Sequence, residues 1–172
     1  MLTIYRTPQP GQVDNPPAMQ QAATMQKGDW LNLVNPTPEE IRLVSEQTGI
    51  AEEFIRYPLD DEELARVETE DGQILIIVDV PVITDSPVIY DTTPLGIVLN
   101  DDFFVTISLN QLDLYNSFAG GRVRSAATFK KTRLTLQILQ IQTNIYLKFL
   151  RDINRRYEAL EARLRQNMNN DD

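Results

Sequence analysis

The sequence contains no cysteine and no histidine. Without thiolate or imidazole there is no soft-metal site, no structural zinc, no disulfide framework and no Ser or Cys triad built on a histidine base. Any metal held by this chain must be taken by oxygen ligands. No GxxxxGK[ST] string is present to wrap a nucleotide phosphate, and Gly120-Gly121-Arg122 reads as a hinge. Long apolar runs are missing too: the longest, residues 74–78, is far below the ~20 residues that a membrane-spanning helix requires. Pro8, Pro10 and Pro16 stand where the apolar centre of a signal peptide would lie, so the reading is of a soluble chain that starts in the cytosol.

What is present is one domain's worth of ordinary globular sequence, 172 residues with 42% hydrophobic and 24% charged side chains. The formal charge of −9 is unevenly spread. Residues 1–121 hold 5 Lys/Arg against 20 Asp/Glu, a balance of −15, and residues 122–172 hold 11 against 5, a balance of +6. The first part repels nucleic acid and attracts cations. The basic tail reads as a solvated helix face.

Residues 2–6 alternate apolar and polar and predict a strand; residues 7–28, rich in Pro, Gln and Ala, predict an excursion with little regular structure. A second strand is expected over 29–35. Thr37, Pro38 and Glu40 then form a helix start, with Thr37 as cap, Pro38 at the first helical position and Glu40 closing a capping box. Ile41, Val44 and Ile50 mark the apolar side, Gly49 stops the helix, and residues 51–56 make a second short helix, an αα corner. Asp71-Gly72 is the strongest hairpin signal and leads into a β-branched run. Residues 94–99 and 103–109, around Asn100-Asp101-Asp102, predict another hairpin, and 111–119 a short helix.

From Ala126 the pattern becomes helical, with Leu134, Ile138, Ile141, Ile145, Phe149, Ile153, Tyr157, Leu160 and Leu164 at three- and four-residue steps. Unbroken to Gln166, this helix runs ~60 Å, more than a domain of this size needs for its own core. A second apolar line, Leu136, Leu139, Leu147 and Leu150, predicts that the first half packs on the sheet. The distal half keeps a narrow stripe like a coiled-coil seam. The expected class is α+β: an α/β/α sandwich with a mixed, mostly antiparallel sheet, helices on both faces and a long C-terminal helix. Residues 1–125 form the mixed-sheet domain and 126–172 the long amphipathic helix.

The densest anionic feature is Asp60-Asp61-Glu62-Glu63. Hard divalent cations take such oxygen ligands. Consecutive acids seldom converge on one ion, however, and by pattern alone the run reads as a solvated helix turn or cap. Asp101-Asp102 and Asp85, beside Ser86-Pro87, read as turns. Nothing in the spacing identifies an enzyme.

An ordered set of strings carries a resemblance: Asp29-Trp30 to Pro36-Thr37, Leu59-Asp60 with Glu62-Glu63, Arg66 and Glu68, then Val80-Pro81, Tyr90, Thr92, Pro94-Leu95-Gly96 and Val105-Thr106 ahead of the long helix. In order and spacing the set resembles the N-terminal cytosolic domain of CorA-like magnesium transporters, over roughly residues 29–164. The resemblance implies a sandwich whose long helices run toward the membrane, then a stalk helix and two transmembrane helices with a Gly-Met-Asn pore motif. This chain ends within what the resemblance makes the first of the long antiparallel helices, and membrane contact would come only through the helices that follow. It further implies a cytoplasmic domain of an inner-membrane protein that senses Mg2+, with Co2+ or Zn2+ as other candidate ions, at carboxylates between the protomers of a pentamer. The family's acidic pair falls at positions occupied here by Arg56 and Tyr57, so the candidate metal ligands are Asp60 and Asp61, three or four residues on.

The leading expectation is therefore an ion-sensing and assembly domain of a transporter, not conducting by itself. The alternative is a stand-alone protein-interaction module. Taken alone, this chain is expected as a monomer, or as a dimer paired through Ile153, Tyr157, Leu160 and Leu164.

Overall fold

The side-chain alternation of one strand shows how the layers arise. In Trp30–Val34, Leu31 and Leu33 point to one face of the sheet and Trp30 to the other, so a single strand feeds two cores. The computed structural model describes residues 1–8, 19–84, 89–119 and 122–170, without the side chains of 113, 114, 119 and 167–170. Its elements are β1 (Leu2–Arg6), β2 (Gln20–Ala22), β3 (Trp30–Val34), α1 (Pro38–Thr48), α2 (Glu52–Arg56), a 3-10 turn (Tyr57–Leu59), β4 (Arg66–Glu70), β5 (Gln73–Ile83), β6 (Tyr90–Leu99), β7 (Phe104–Ser108), α3 (Asp113–Ala119) and α4 (Lys131–Asn170).

The seven strands lie in the order β2-β1-β3-β7-β6-β5-β4. Only β3 and β7 pair in parallel; the other pairings are antiparallel. On one face Leu31, Leu33, Leu75, Ile77, Val105 and Ile107 pack with Ile41, Val44, Phe54 and Ile55 of α1 and α2. On the other, Trp30, Val80, Leu95, Ile97 and Phe104 pack with Tyr115 and Phe118 of α3 and Leu134 and Ile138 of α4. Helices thus cover both faces, as the sequence predicts.

The local signals act as their chemistry requires. Thr37 Oγ1 accepts from the Glu40 N–H at 3.3 Å, and Glu40 Oε2 accepts from the Thr37 N–H at 2.9 Å, completing the capping box. Glu40 Oε1 also takes the Leu2 N–H at 2.8 Å, which ties β1 to the start of α1. Burial raises the Glu40 pKa, but these N–H donors and the terminal ammonium outweigh it and hold the carboxyl below its ordinary value. Gly49 ends α1 at φ 72, and Asp71 and Gly72, at φ 47 and 75, form the two-residue turn between β4 and β5. Inside the α3–α4 core, Trp30 Nε1 donates to Thr106 Oγ1 at 2.7 Å, which in turn donates to Asn32 Oδ1 at 2.9 Å.

Four features differ from the sequence expectations. Strand β2 lies inside the stretch read as irregular; it pairs with β1 through Gln20, Gln21 and Ala22, which carry no apolar alternation to announce it. Strand β6 starts at Tyr90, so Pro94 sits within it, whereas the sequence pattern starts the strand at this proline. Helix α4 begins at Lys131, five residues later than Ala126, because Thr128 is held in reciprocal hydrogen bonds with Thr7 at 3.2 Å. Finally, the second apolar line of α4 does not widen the sheet contact: Leu136, Leu147 and Leu150 are exposed. The readings on Pro10 and Pro16, on Asp85 with Ser86-Pro87, and on Gly120-Gly121 lie outside the described residues.

Candidate functional site

Asp60 and Asp61 follow the 3-10 turn that closes the αα corner, and a glycine sets that turn in place. Pro58 lies over Gly96 of β6 so closely that a Cβ at Gly96 would sit 2.1 Å from Pro58 Cγ and 2.8 Å from Pro58 Cβ. Only a residue without a side chain lets the turn rest on the strand. Asp60 caps the turn with extended backbone, and its Oδ1 accepts from the Glu62 N–H at 3.0 Å. Asp61 Oδ1 lies 3.4 Å from the Thr93 hydroxyl that donates to it. Both carboxylates are exposed to solvent.

Their acidic neighbour Glu63 is consumed elsewhere. Arg66 forms a short ion pair with Glu63 through Nη1 and donates from Nε to Glu68 at 2.5 Å, with its guanidinium 4.9 Å from the Tyr57 ring centroid. Hydrogen bonds to Glu68 and Glu63 raise the Arg66 pKa above its ordinary value. Arg56 pairs with Glu52 at 3.0 Å, and the Tyr57 ring packs on Phe54. The two positions where the resemblance puts acids therefore add no anion.

Among the described residues, no group of three or more carboxylates is placed to hold a metal ion. Asp60 and Asp61 leave exposed carboxylates on this turn, and a hydrated Mg2+, which keeps several of its waters, is commonly held through only one or two such groups. A tighter site needs ligands from beyond this turn.

The second arrangement joins α4 to the sheet. Asp79 of β5 stands opposite Pro94, which has no N–H to give, and the Asp79 carbonyl accepts instead from the Tyr146 hydroxyl at 3.0 Å and from Gln142 Nε2. Helix α4 thus supplies two side-chain donors to this carbonyl, and Pro94 stands just before the first β6 residue that pairs with β7, Leu95. One turn further on, the Tyr90 hydroxyl donates to Asp152, Arg156 Nε donates to the same carboxylate at 3.0 Å, and the Tyr90 and Phe149 rings meet at 5.0 Å. The Tyr90 hydroxyl and Arg156 hold the Asp152 carboxyl below its ordinary pKa. The sequence could have offered Asp152/Arg156 as an i,i+4 pair, but nothing in it pointed across the fold to Tyr90 or Asp79.

Beyond these ties α4 is largely uncovered. Ile153, Tyr157, Leu160 and Leu164 are 42%, 67%, 58% and 63% exposed, so the chain's own fold does not cover the stripe. Among the described residues, no helix is long and apolar enough to cross a membrane.

The family described as CorA-like Mg2+ transporter protein matches residues 25–172. The chain belongs to that family. The cobalt/magnesium transport protein CorA of Methanocaldococcus jannaschii is 25% identical over 173 aligned residues, which take in 95% of this chain and 52% of that protein. This CorA-like chain therefore spans about half the length of the curated relative. The complete structure of the same transporter superposes with a TM-score of 0.75 at 21% identity, covering 95% of this chain and 51% of that one. The cytoplasmic domain of ZntB from Vibrio parahaemolyticus gives 0.64 at 13% identity, covering 87% and 62%. These superpositions show a shared fold: the mixed sheet with helices on both faces and the long C-terminal helix.

Proposed function

We propose that this CorA-like chain is the cytosolic, ion-sensing and assembly domain of a divalent-cation transporter, and that it does not conduct ions or catalyse a reaction by itself. The observation that carries the reading is the family match from residue 25 to the end of the chain, on a fold that carries no membrane-spanning helix among its described residues. In this reading the domain lies on the cytoplasmic side of the inner membrane and belongs to a homo-oligomer, a pentamer in the longer transporter. The ion is Mg2+, with Co2+ in keeping with the archaeal relative's name and Zn2+ as a further candidate.

Asp60 and Asp61 are the proposed ligands. Apposed carboxylates on neighbouring protomers repel one another, a divalent ion cancels that repulsion, and loss of the ion lets the protomers separate. The test is calorimetric titration of Mg2+ into the parent chain and into Asp60→Ala/Asp61→Ala. Binding heat in the parent that vanishes in the variant supports the site; equal heats in both remove it.

A further inference from the structure

A cleft of about 690 Å3 opens between α3, the end of β5 and the middle of α4. Its size is that of an ordinary small-molecule site, ~300–1,000 Å3. It arises because the sheet-facing line of α4 loses its cover along the helix: Leu134 and Ile138 are fully buried, whereas Ile141, Ile145 and Phe149 are only half-buried. Those three side chains line the cleft from α4, and Val80, Val82 and Leu112 line it from β5 and the start of α3. Polar ties fix the spacing of the walls. Gln142 and Tyr146 fasten α4 to the Asp79 carbonyl at one level, and Asp152 fastens it to the Tyr90 hydroxyl at another, so the space between is preformed.

The charges around this apolar space say what kind of molecule fits it. Residues 1–121 carry a balance of −15, yet no Asp or Glu stands among the described residues that line the cleft. Arg122 and Lys148 line it instead, and both are exposed. Among the described residues neither side chain has an ion-pair or hydrogen-bond partner. Asp152, four residues beyond Lys148 on the same helix, is the carboxylate best spaced to neutralise it, but Tyr90 and Arg156 take that group. Apolar walls beside two uncompensated cations complement a molecule with an apolar chain and one negative head. A carboxylate suits the head, since its two oxygens match the guanidinium fork of Arg122.

We propose that this cleft binds a small amphipathic carboxylate, its chain against Ile141, Ile145 and Phe149 and its head on Arg122 and Lys148. The acidic turn has no part in it, so the proposal stands or falls separately from ion sensing.

The test is titration of octanoate into the full chain, followed by calorimetry and by amide chemical shifts. Octanoate should bind saturably, one per chain, and should move amides at residues 80–83 and 141–149. Acetate, which has the head without the chain, should not bind. Octanol, which has the chain without the charge, should bind more weakly. Arg122→Gln and Lys148→Gln should each weaken octanoate about fivefold, the value of one exposed charge contact, and leave octanol unchanged. Arg155→Gln, on a cation of α4 outside the cleft, should have no effect. Circular dichroism shows whether each variant is folded, and all three positions are exposed. Absence of saturable binding overturns the proposal, as do shifts confined to residues 153–166, which would place the chain on the open stripe of α4. Equal weakening by Arg155→Gln, or acetate binding as tightly as octanoate, overturns it as well.

Discussion

Replacing Gly96 by alanine tests how the acidic turn is held. The added Cβ would lie 2.1 Å from Pro58 Cγ and 2.8 Å from Pro58 Cβ, where carbon atoms rest at about 3.5–4.0 Å, so strand and turn must part by more than an ångström. Gly96 lies in the middle of β6, with Ile77 and Ile107 as its register partners on either side, so the strand cannot retreat without breaking two ladders. Overpacking of this kind costs ~1–3 kcal/mol, and the rigid proline ring puts this site at the upper end, about 3 kcal/mol. With a urea slope of ~2 kcal/mol/M, the unfolding midpoint should fall by about 1.5 M. Pro58→Gly removes both clashing atoms, so the double variant should recover part of the loss, with a coupling of ~1–3 kcal/mol. Gly96→Ala within ~0.5 kcal/mol of the parent, the range of a neutral surface change, would refute the reasoning. The same would follow from purely additive losses in the cycle.

Other outcomes follow from the same geometry. Thr106→Val strands the buried Trp30 indole N–H and Asn32 Oδ1 and should cost ~1–3 kcal/mol in urea unfolding; a neutral result would mean that the indole finds another acceptor. Tyr146→Phe should cost ~1 kcal/mol and Tyr146→Phe/Gln142→Ala more than the sum, because the second loss leaves the Asp79 carbonyl opposite Pro94 with no donor. Hydrogen exchange over residues 131–150 should rise in the double variant and stay unchanged if α4 docks through its apolar line alone. Glu40 is held below its ordinary pKa in the fold, so the stability it adds is present above the unfolded value of ~4.3 and is lost as pH falls through the lower folded value. Glu40→Gln should therefore be less stable than the parent at neutral pH and show a shallower acid limb in pH-dependent unfolding. Equal slopes would contradict the assignment.

The parts of this fold that the sequence made legible are those specified by near neighbours. Thr37, Pro38 and Glu40 define a helix start within four residues, Gly49 ends it, and Asp71-Gly72 dictates a turn by its own backbone preference. The long helix announced itself through period. What stayed hidden depends on distant partners. Strand β2 exists because β1 has a free edge, not because Gln20 and Gln21 favour a strand. Pro94 lies inside β6 where β7 no longer pairs with it, and the donors to the carbonyl opposite it, Gln142 and Tyr146, arrive from some fifty residues away. The sequence pattern puts the second leucine line of α4 on the sheet, yet Leu136, Leu147 and Leu150 are exposed, because an apolar spacing does not say which surface, if any, meets it. For the candidate site, the acids were visible and their fates were not: Glu63 is spent on Arg66, whereas Asp60 and Asp61 face solvent.

Amide chemical shifts followed residue by residue during a Mg2+ titration test the ion-sensing account most directly. Shifts should gather at residues 60–63 and at Thr93, whose hydroxyl meets Asp61, and should disappear in Asp60→Asn/Asp61→Asn. A titration that moves no amide through the millimolar range, or one that perturbs a region remote from this turn, would contradict it.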